Sequence, residues 1–348
     1  MAYLSVVSAY VPDGTDADGR PRHLTTAVSE MSSVHDMVEA ASRQIDSSLL
    51  AAAADSLAAS FHCGTLYQGE HLWPMHNSLQ RSVLGRESAG AAAEIRQFCS
   101  GGLFGVMLAD AVLEAGWSGD YAMVTGGDSI FYFDRYEYAA SPVVEGSLLG
   151  DNAFCAILSK NDGFARILSG AARSHNASAD AMRSRADHGL DDPVFPDLAR
   201  YLARFEGHNA RDPEAAARNA MASFRSAIAT VIECYERVGI DPSEIDVFAP
   251  CFIEPSYVTE LIAKQSQLKP NPALHEFGTR FGHLTVSDFC VNLAYLMNNK
   301  IAKVGDLVML FSAGNFVNSA AVLVRIEKDA TLPINVSVEP TTTEENHD

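Results

Sequence analysis

Apolar positions along the chain follow two different spacings in alternation. At helical spacing they run over residues 34–59 and again over 214–238, and each run leads into a short apolar stretch, residues 61–66 and 245–251. The long runs predict helices and the short ones predict buried strands. Helices that alternate with short apolar strands indicate an α/β protein whose sheets are covered on both faces.

A second similarity relates the two halves of the chain. Residues 119–128 and 305–315 each consist of a Gly-Asp turn and a short buried strand with small residues at its end, and each follows an apolar helix. The offset, 305 minus 119, is 186, and it carries Cys99, at the start of the first helix, to Thr285, two residues from His283. We therefore predict a duplicated fold with equivalent helix starts, although helix, turn and strand recur in any α/β protein.

The length of 348 residues exceeds what one ordinary core needs, so we expect two lobes. The predicted halves are residues 1–165 and 166–332. Near their junction, residues 174–212 are rich in charged residues and show little apolar periodicity, which favours an insertion with short helices. Residues 333–348 are polar and are expected to form a disordered tail.

Composition and charge exclude several classes of function. The chain is 47% hydrophobic and 20% charged, and its net charge of −19 argues against binding to nucleic acid or to an anionic membrane surface. It has no window of eighteen apolar residues and no secretory signal pattern, so we expect a soluble, cytoplasmic protein. The six cysteines show no CxxC pairing and are expected to be reduced thiols. The histidines form no HxxxH or HxH cluster, so no metal is expected.

Cys99 is the candidate nucleophile. It lies in Phe98-Cys99-Ser100-Gly101-Gly102, where an apolar helix begins. The unpaired N–H groups and partial positive charge of a helix start favour thiolate over thiol. The alternative is a small buried hydrophobic side chain, the commonest role of a free cysteine. Gly101 and Gly102 would allow close approach of a substrate or of a neighbouring helix.

His283 and Asp288 complete the candidate site. If the two halves pack around a pseudo-dyad, the starts of both central helices meet and His283 lies near Cys99, as a nucleophile and its base require. Asp288 could accept a hydrogen bond from the other imidazole nitrogen and fix the tautomer. Both residues also have an ordinary interpretation, because a histidine at a helix start can cap it and an aspartate in the first turn is favoured by the helix dipole.

Three motifs resemble those of the thiolase fold, specifically its β-ketoacyl-ACP synthase III branch, and the resemblance spans nearly the whole chain. Residues 98–102 resemble that family's nucleophile motif, 150–153 its Gly-Asp-Gly-Ala strand start, and 311–314 its glycine-rich C-terminal turn. The resemblance implies a duplicated five-layer αβαβα architecture with pseudo-two-fold symmetry. It also implies an oxyanion hole formed by the backbone N–H groups of Cys99 and Gly314, a homodimer, and a pantetheine tunnel that leads to Cys99.

Two departures from the family pattern change the expected chemistry. Condensing members have a Pro-His-Gln-Ala-Asn and a Gly-Asn-Thr segment, whose His and Asn assist decarboxylation, whereas this chain has residues 250–254, Pro-Cys-Phe-Ile-Glu, and 282–284, Gly-His-Leu. This pattern resembles ketosynthase III-like acyltransferases of polyketide and other natural-product pathways. These pass an acyl group from acyl-ACP or acyl-CoA to a hydroxyl or amine through a Cys or Ser, His and Asp triad, with no permanently bound cofactor.

Two other functions stay open at this point. One is carbon–carbon condensation with His283 as an unconventional base, and the other is a non-catalytic partner subunit of a ketosynthase. Cys251 and Cys290 are expected to be buried packing thiols. The carrier-protein patch and the acyl pocket are the least defined features; the residues considered for them are Arg135, Lys264 and Arg280 for the patch and Tyr132, Phe133 and Phe316 for the pocket.

Overall fold

A computed structural model describes residues 1–12, 14–15, 27–29, 33–66, 68, 72–130, 148–177, 179, 198–253, 256–278, 280–314 and 317–335. The strands are β1 (Tyr3–Tyr10), β2 (Gly14–Thr15), β3 (Ala27–Val28), β4 (Leu57–Gly64), β5 (Ala91–Arg96), β6 (Tyr121–Asp128), β7 (Asn152–Ser159), β8 (Ala165–Ser174), β9 (Val247–Pro250), β10 (Leu307–Gly314) and β11 (Asn318–Ile326). The helices are α1 (Val34–Ser42), α2 (Ser47–Asp55), α3 (Met75–Leu84), α4 (Gly101–Glu114), α5 (Leu198–Arg211), α6 (Pro213–Glu236), α7 (Ser256–Gln265), α8 (Pro272–Gly278) and α9 (Asp288–Asn298).

Nine strands form one hydrogen-bonded sheet in the order β5-β4-β6-β7-β1-β8-β11-β10-β9, while β2 and β3 pair separately. Its two parts meet at a short junction, where β1 pairs with β8 over two residues of each strand. Outward from this junction, β7 and β6 in one part and β11 and β10 in the other are antiparallel to their inner neighbours. The next strands, β4 and β9, are both parallel to theirs. This repeated order confirms the predicted duplication.

In the described part of the chain, the outer edge of the first part is repeated in the second part only by a single bridge. In the first part β5 runs parallel to β4. At the corresponding place in the second part, Pro270 forms a single parallel bridge with Phe248 of β9. Among the described residues, the C-terminal half therefore has one residue pair where the N-terminal half has a complete edge strand.

Three clusters of buried side chains show the layers. One lies between α1 to α3 and the first part of the sheet, and it contains Met37 and Leu79. Another lies between α6 and the second part and contains Val231 and Met309. The largest cluster surrounds α4 and α9 and includes strand residues from both parts, with Phe289 edge-on to Phe154 at 5.1 Å. Helices, sheet, central helices, sheet and helices make five layers, so the predicted αβαβα architecture is confirmed.

Both central helices begin in the same unusual way. A single 3-10 turn precedes each helix, Phe98–Ser100 before α4 and Thr285–Ser287 before α9. The first residue of each turn has a positive φ, 50° at Phe98 and 45° at Thr285, a conformation that is rare for residues other than glycine. The structural offset, 285 minus 98, is 187 rather than 186, so the counterpart of Cys99 is Val286 and not Thr285.

The two helix starts touch each other through Gly102. A Cβ at this position would lie 2.1 Å from the carbonyl oxygen of Val286 and 2.8 Å from the ring of Phe289. The sequence left open whether the glycine pair approaches a substrate or a neighbouring helix. At Gly102 the close neighbour is the start of α9.

Three sequence predictions about extent were wrong. The expected helix over residues 34–59 is divided into α1 and α2, because Asp46 caps a new helix start by accepting a hydrogen bond from Ser48 N, and its end belongs to β4. Within the described part of residues 174–212, α5 is a helix of 14 residues, where short helices were expected. The third wrong prediction was that the tail begins at residue 333.

The tail begins later than expected. Residues 333–335 lie along β1: the Pro333 carbonyl accepts a hydrogen bond from Ala9 N, and the Asn335 side chain bonds to both the N–H and the carbonyl of Val11, at 2.7 Å each. Polar composition alone did not show that this asparagine satisfies the backbone at the end of a strand. The rest of the predicted tail, residues 336–348, lies outside the described residues.

Among the described residues, no helix combines the length and the apolar character that crossing a bilayer requires. The boundary expected at residue 165 falls at the first residue of β8, and the division into two domains stays a prediction.

Candidate active site

Cys99 occupies the middle of the 3-10 turn that leads into α4. Its carbonyl accepts a hydrogen bond from Ser312 Oγ at 2.9 Å, and Ser100 Oγ closes the turn by donating to the Gln97 carbonyl at 2.7 Å. All six cysteines are free thiols, and Cys99 is partly exposed whereas the other five are buried. Solvent and a substrate can therefore reach Cys99 in preference to the other thiols.

His283 and Asp288 form a buried pair. His283 Nδ1 lies 2.6 Å from Asp288 Oδ2, and the two side chains are 4% and 2% exposed. The carboxylate also accepts hydrogen bonds from the backbone N–H of Leu284 at 2.8 Å and of Phe252 at 3.0 Å. Because an ionised carboxylate only accepts, Nδ1 carries the proton in this bond, and Nε2 is left to exchange a proton with other groups.

The backbone of His283 is held by the other half of the molecule. Its N–H donates to the Leu148 carbonyl at 2.7 Å, and Gly150 N–H donates to its carbonyl at 3.0 Å. Residues 148–150 lie just before β7, and Gly150 is the first residue of the segment that resembles the family's strand start. Leu148 and Gly150 therefore hold residues 280–284, called the histidine loop below, across the pseudo-dyad.

The charges of the site support a protonated imidazole. Burial alone would lower the pKa of His283, but the charge of Asp288, the electrostatic interaction with Cys99 and the hydrogen bond to Asp288 raise this pKa well above 6.5. Among the described residues, His283 Nε2 is buried without a hydrogen-bond partner of ordinary geometry. The structure thus brings Cys99, His283 and Asp288 together.

Gly314 lies directly against the cysteine turn. A Cβ on Gly314 would come within 2.5 Å of Phe98 Cβ and 2.9 Å of Cys99 N, so no larger residue fits. The expected oxyanion hole needs the peptides of Cys99 and Gly314 side by side, and they are adjacent. Their role in binding an oxyanion stays a prediction.

Cys251 belongs to the same site. Burial raises the pKa of its thiol to about 12, and the charges of His283, Asp288 and Cys99 also act on it. Cys290, in α9, is likewise buried, and burial raises its pKa well above 9.0. Both residues are buried thiols, as the sequence predicted, and only for Cys251 of the two does the pKa respond to His283, Asp288 and Cys99.

Four polar residues around the site were not predicted from the sequence. Thr65 Oγ1 lies 3.8 Å from Cys99 Sγ. Asp128, Asn152 and Thr285 form a buried network beside it. Thr65 and Asp128 directly follow or end the parallel strands β4 and β6, and the carboxyl ends of such strands are where α/β proteins place ligand sites. This rule could have identified Thr65 and Asp128 as site residues from the sequence.

Of the residues considered for the carrier-protein patch, two are described, and their role there stays a prediction. Lys264 is exposed on α7, and the guanidinium of Arg280 lies over the rings of Phe277 and Phe281 at 5.7 and 5.3 Å. The remaining residues considered for the patch and the pocket lie outside the described residues: Arg135, Tyr132, Phe133 and Phe316.

One group of side chains within the described ranges has the spacing to hold a metal ion, namely His35, Asp36 and Glu39 on α1. His35 Nε2 instead contacts Ser78 Oγ at 3.0 Å, and its ring packs on Trp73 at 5.5 Å. These contacts account for the histidine without an ion.

Comparisons with known proteins agree with this architecture. Residues 235–326, which include His283, Asp288 and Gly314, match the family model of the C-terminal region of 3-oxoacyl-[acyl-carrier-protein] synthase III. The mycobacterial β-ketoacyl-[acyl-carrier-protein] synthase III of Mycobacterium tuberculosis (strain ATCC 25618 / H37Rv) is 31% identical over 93 residues, 27% of this chain and 28% of that protein. The chain therefore matches little more than a quarter of the length of its curated relatives.

Solved structures cover almost the whole chain. ChlB3, an acyltransferase, superposes with a TM-score of 0.77 at 21% identity over 95% of this chain and 99% of its own. The β-ketoacyl-[acyl-carrier-protein] synthase III of Thermus thermophilus gives 0.70 at 17% over 94% and 100%. AbyA1, a tetronic acid condensing enzyme, gives 0.66 at 16% over 93% and 100%.

The layers and these superpositions define a protein of the thiolase-like fold. Residues 235–326 are similar to the C-terminal region of synthase III. The resemblance inferred from the motifs is confirmed.

Proposed function

We propose that this protein is an acyltransferase that moves an acyl group from acyl-ACP or acyl-CoA, through an acyl-Cys99 intermediate, to a hydroxyl or amine of a small molecule. The observation that carries the proposal is the buried His283–Asp288 pair, whose imidazole responds to the charge of Cys99. Nucleophile, base and orienting carboxylate are the parts that covalent acyl transfer requires.

In the first half-reaction, the Cys99 thiolate attacks the thioester carbonyl of the donor. The new bond joins Cys99 Sγ to the acyl carbon, and the bond between that carbon and the donor sulfur breaks. The proton of the His283 imidazolium passes to the departing thiolate, so that CoA or the carrier protein leaves as a thiol and His283 becomes neutral. Backbone N–H groups of Cys99 and Gly314 would bind the tetrahedral oxyanion.

In the second half-reaction, neutral His283 takes the proton of the acceptor hydroxyl or amine. The acceptor oxygen or nitrogen bonds to the acyl carbon, Cys99 leaves as a thiolate, and the thiolate–imidazolium pair is restored. Acylation makes the neutral imidazole that this step needs more available, because it removes the thiolate charge that helps to raise the pKa of His283. Asp288 keeps the ring in one tautomer throughout.

Condensation is the second candidate, favoured by the superposition on AbyA1 and on synthase III structures. It needs a group that promotes decarboxylation of a malonyl thioester. At residue 251 the chain offers a buried thiol with a pKa of about 12, which does not act as a base near neutral pH. Acyl transfer requires no such group, so the site favours it.

Intact-protein mass spectrometry against a panel of acyl-CoA and acyl-ACP thioesters tests the proposal. We expect one acyl increment on the parent protein, no increment on Cys99→Ala, and loss of the increment when a hydroxyl or amine acceptor is added. Cys234→Ala is the matched control, because this buried thiol lies in the outer cluster beside α6. Carbon dioxide release from a malonyl thioester, or the absence of any acyl-enzyme, would reject acyl transfer.

As part of the same proposal, the protein acts as a cytoplasmic homodimer that receives its donor from a carrier protein or coenzyme A. Sedimentation of the purified protein tests the dimer.

A further inference from the structure

A buried polar network joins the two halves beside the proposed catalytic residues, and the reaction scheme makes no use of it. Its members are Asp128 and Asn152 from the N-terminal half and Thr285 and Ser287 from the C-terminal half. All four are at most 1% exposed. Buried polar groups of this kind stabilise a structure only when they are fully hydrogen-bonded, and each is costly when its partner is lost.

Asn152 uses both ends of its amide. Nδ2 donates to the Gly150 carbonyl at 2.9 Å and to Thr285 Oγ1 at 3.1 Å, while Oδ1 accepts from Ser287 Oγ at 2.5 Å. The first partner, Gly150, also donates its N–H to the His283 carbonyl. The other two belong to the 3-10 turn that begins α9. One side chain thus ties both sides of the histidine loop together.

Asp128 connects the same turn to the nucleophile. One oxygen accepts from the backbone N–H of Leu66 at 2.8 Å, and the other accepts from Thr285 Oγ1 at 2.5 Å. Thr65 N–H lies 3.0 and 3.1 Å from the two oxygens, and the hydroxyl of that same threonine contacts Cys99 Sγ. The Asp128 carboxylate therefore connects Thr65, which contacts Cys99 Sγ, with the 3-10 turn that follows His283.

Thr285 needs this support because of its backbone. A φ of 45° is unfavourable for a β-branched residue, and such conformations persist only where the surroundings hold them. Thr285 lies two residues after His283 and three before Asp288. A relaxation of its backbone would therefore move both members of the pair.

We propose that Asp128 and Asn152 are positioning residues that, through Thr285, hold the His283–Asp288 pair in register with Cys99. The consequence for the reaction rests on the proposed acyl transfer. The effect on the reactivity of Cys99 does not depend on the proposed acyl transfer. It is measured by alkylation with iodoacetamide.

The experiment compares the pH profile of Cys99 alkylation in the parent, Thr285→Val, Thr285→Ser and Asn152→Ala. Thr285→Val removes both hydrogen bonds with little change of shape, and Thr285→Ser retains them. Thr230→Val is the control, because Thr230 is a fully buried threonine that bonds to Ser319 and the Ser226 carbonyl on the outer side of the sheet. Alkylation reports mainly on Cys99, since the other thiols are buried.

We expect Thr285→Val and Asn152→Ala to slow alkylation at pH 7 by about 10-fold and to move the half-maximal rate to higher pH, because a displaced imidazolium no longer supports the thiolate. Thr285→Ser should restore the parent profile, and Thr230→Val should not change it. Thermal unfolding of each variant shows whether it is folded. If Thr285→Val does not fold, Asn152→Ala and Thr285→Ser carry the test.

Parent-like profiles in folded Thr285→Val and Asn152→Ala would overturn the proposal, as would an equal loss in Thr285→Ser or Thr230→Val. The outcome for the proposed function is separate. If the parent forms no acyl-Cys99 with any thioester, acyl transfer is wrong, whereas the alkylation profiles still decide whether the network positions the pair.

Discussion

At the scale of single residues, the site depends on where protons and charges are held. His283 is buried, yet its interactions with Asp288 and Cys99 raise its pKa, and in the proposed reaction the interaction with Cys99 is lost when the sulfur is acylated. The same imidazole can therefore protonate a departing thiolate and then accept a proton from the acceptor hydroxyl or amine.

We expect His283→Ala to leave acylation of Cys99 measurable and to slow transfer to the acceptor by about 10² or more, because general base catalysis is lost. Single-turnover mass spectrometry separates the two steps. His208→Ala, a substitution on α5, should change neither rate. Equal transfer rates in His283→Ala and the parent would remove His283 from the mechanism.

Asp288→Asn should slow transfer less than His283→Ala does, and it should lower the pKa of His283, because burial of the ring remains while the opposing charge is lost. Titration of the His283 ring by NMR checks the direction of this shift. An unchanged pKa together with an unchanged transfer rate would reduce Asp288 to a helix-capping residue.

Asp128 makes folding stability depend on pH. Burial raises its pKa from 3.8 to about 6, although hydrogen bonds from Leu66, Thr285 and Thr65 oppose the shift. A carboxyl whose pKa is raised in the folded state contributes most to stability below its unfolded pKa, and this contribution falls as the pH rises through the folded pKa. The free energy of unfolding of the parent, relative to that of Asp128→Asn, should therefore decrease from about pH 4 to about pH 6 and then stay constant. Urea unfolding across this range measures it, and a difference that grows with pH would contradict it.

The sequence could predict the candidate triad but not the network around it. Cys99 and His283 stand at recognisable helix starts, and the internal repeat brings those starts together. Asp128 and Asn152 act through partners 157 and 133 residues away, and a lone aspartate or asparagine at a strand end carries no sign of such a partner. Tertiary contacts of this kind are visible only in the folded chain.

At the scale of elements, the contact between the starts of α4 and α9 sets the geometry of the site. The repeat predicted this contact within one residue, because the Gly-Asp turns and the short strands β6 and β10 have strong local signals. The division of residues 34–59 was missed because the alanine-rich sequence supports a helix equally well on both sides of Asp46.

Gly102→Ala tests that contact. The added methyl group would overlap the Val286 carbonyl and the Phe289 ring, so the helix starts must separate. We expect a loss of stability of about 1–3 kcal/mol and slower acyl transfer. Gly207→Ala in α5 is the control, because its Cβ would meet open space and alanine favours a helix. Parent-like activity and stability of Gly102→Ala would show that the contact tolerates movement.

At the scale of the whole molecule, the two halves share one interior. The central cluster draws on strands and helices of both halves, and the junction of the sheet is hydrogen-bonded. Neither half can bury its central helix without the other. The duplicated architecture was predictable from the sequence, whereas the single Pro270–Phe248 bridge in place of an edge strand was not.

We therefore expect one calorimetric unfolding transition for both halves. Phe289→Ala, which removes a ring from the central cluster, should lower the free energy of unfolding by about 3–5 kcal/mol and move the whole transition without dividing it. Two separate transitions in the parent would show that the halves unfold independently.

Residues 333–335 lie along β1, and this placement determines where a label attached to them would be located. They adjoin the end of β1, where Tyr10 pairs with Ala153, the neighbour of Asn152; the beginning of β1 pairs with Ser159, at the far end of β7. A fluorophore attached to the side chain of residue 335 would thus lie on the rim that bears the histidine loop. One joined ahead of Tyr3 would emerge on the opposite rim, which makes that side the better choice for immobilising the protein on a sensor surface.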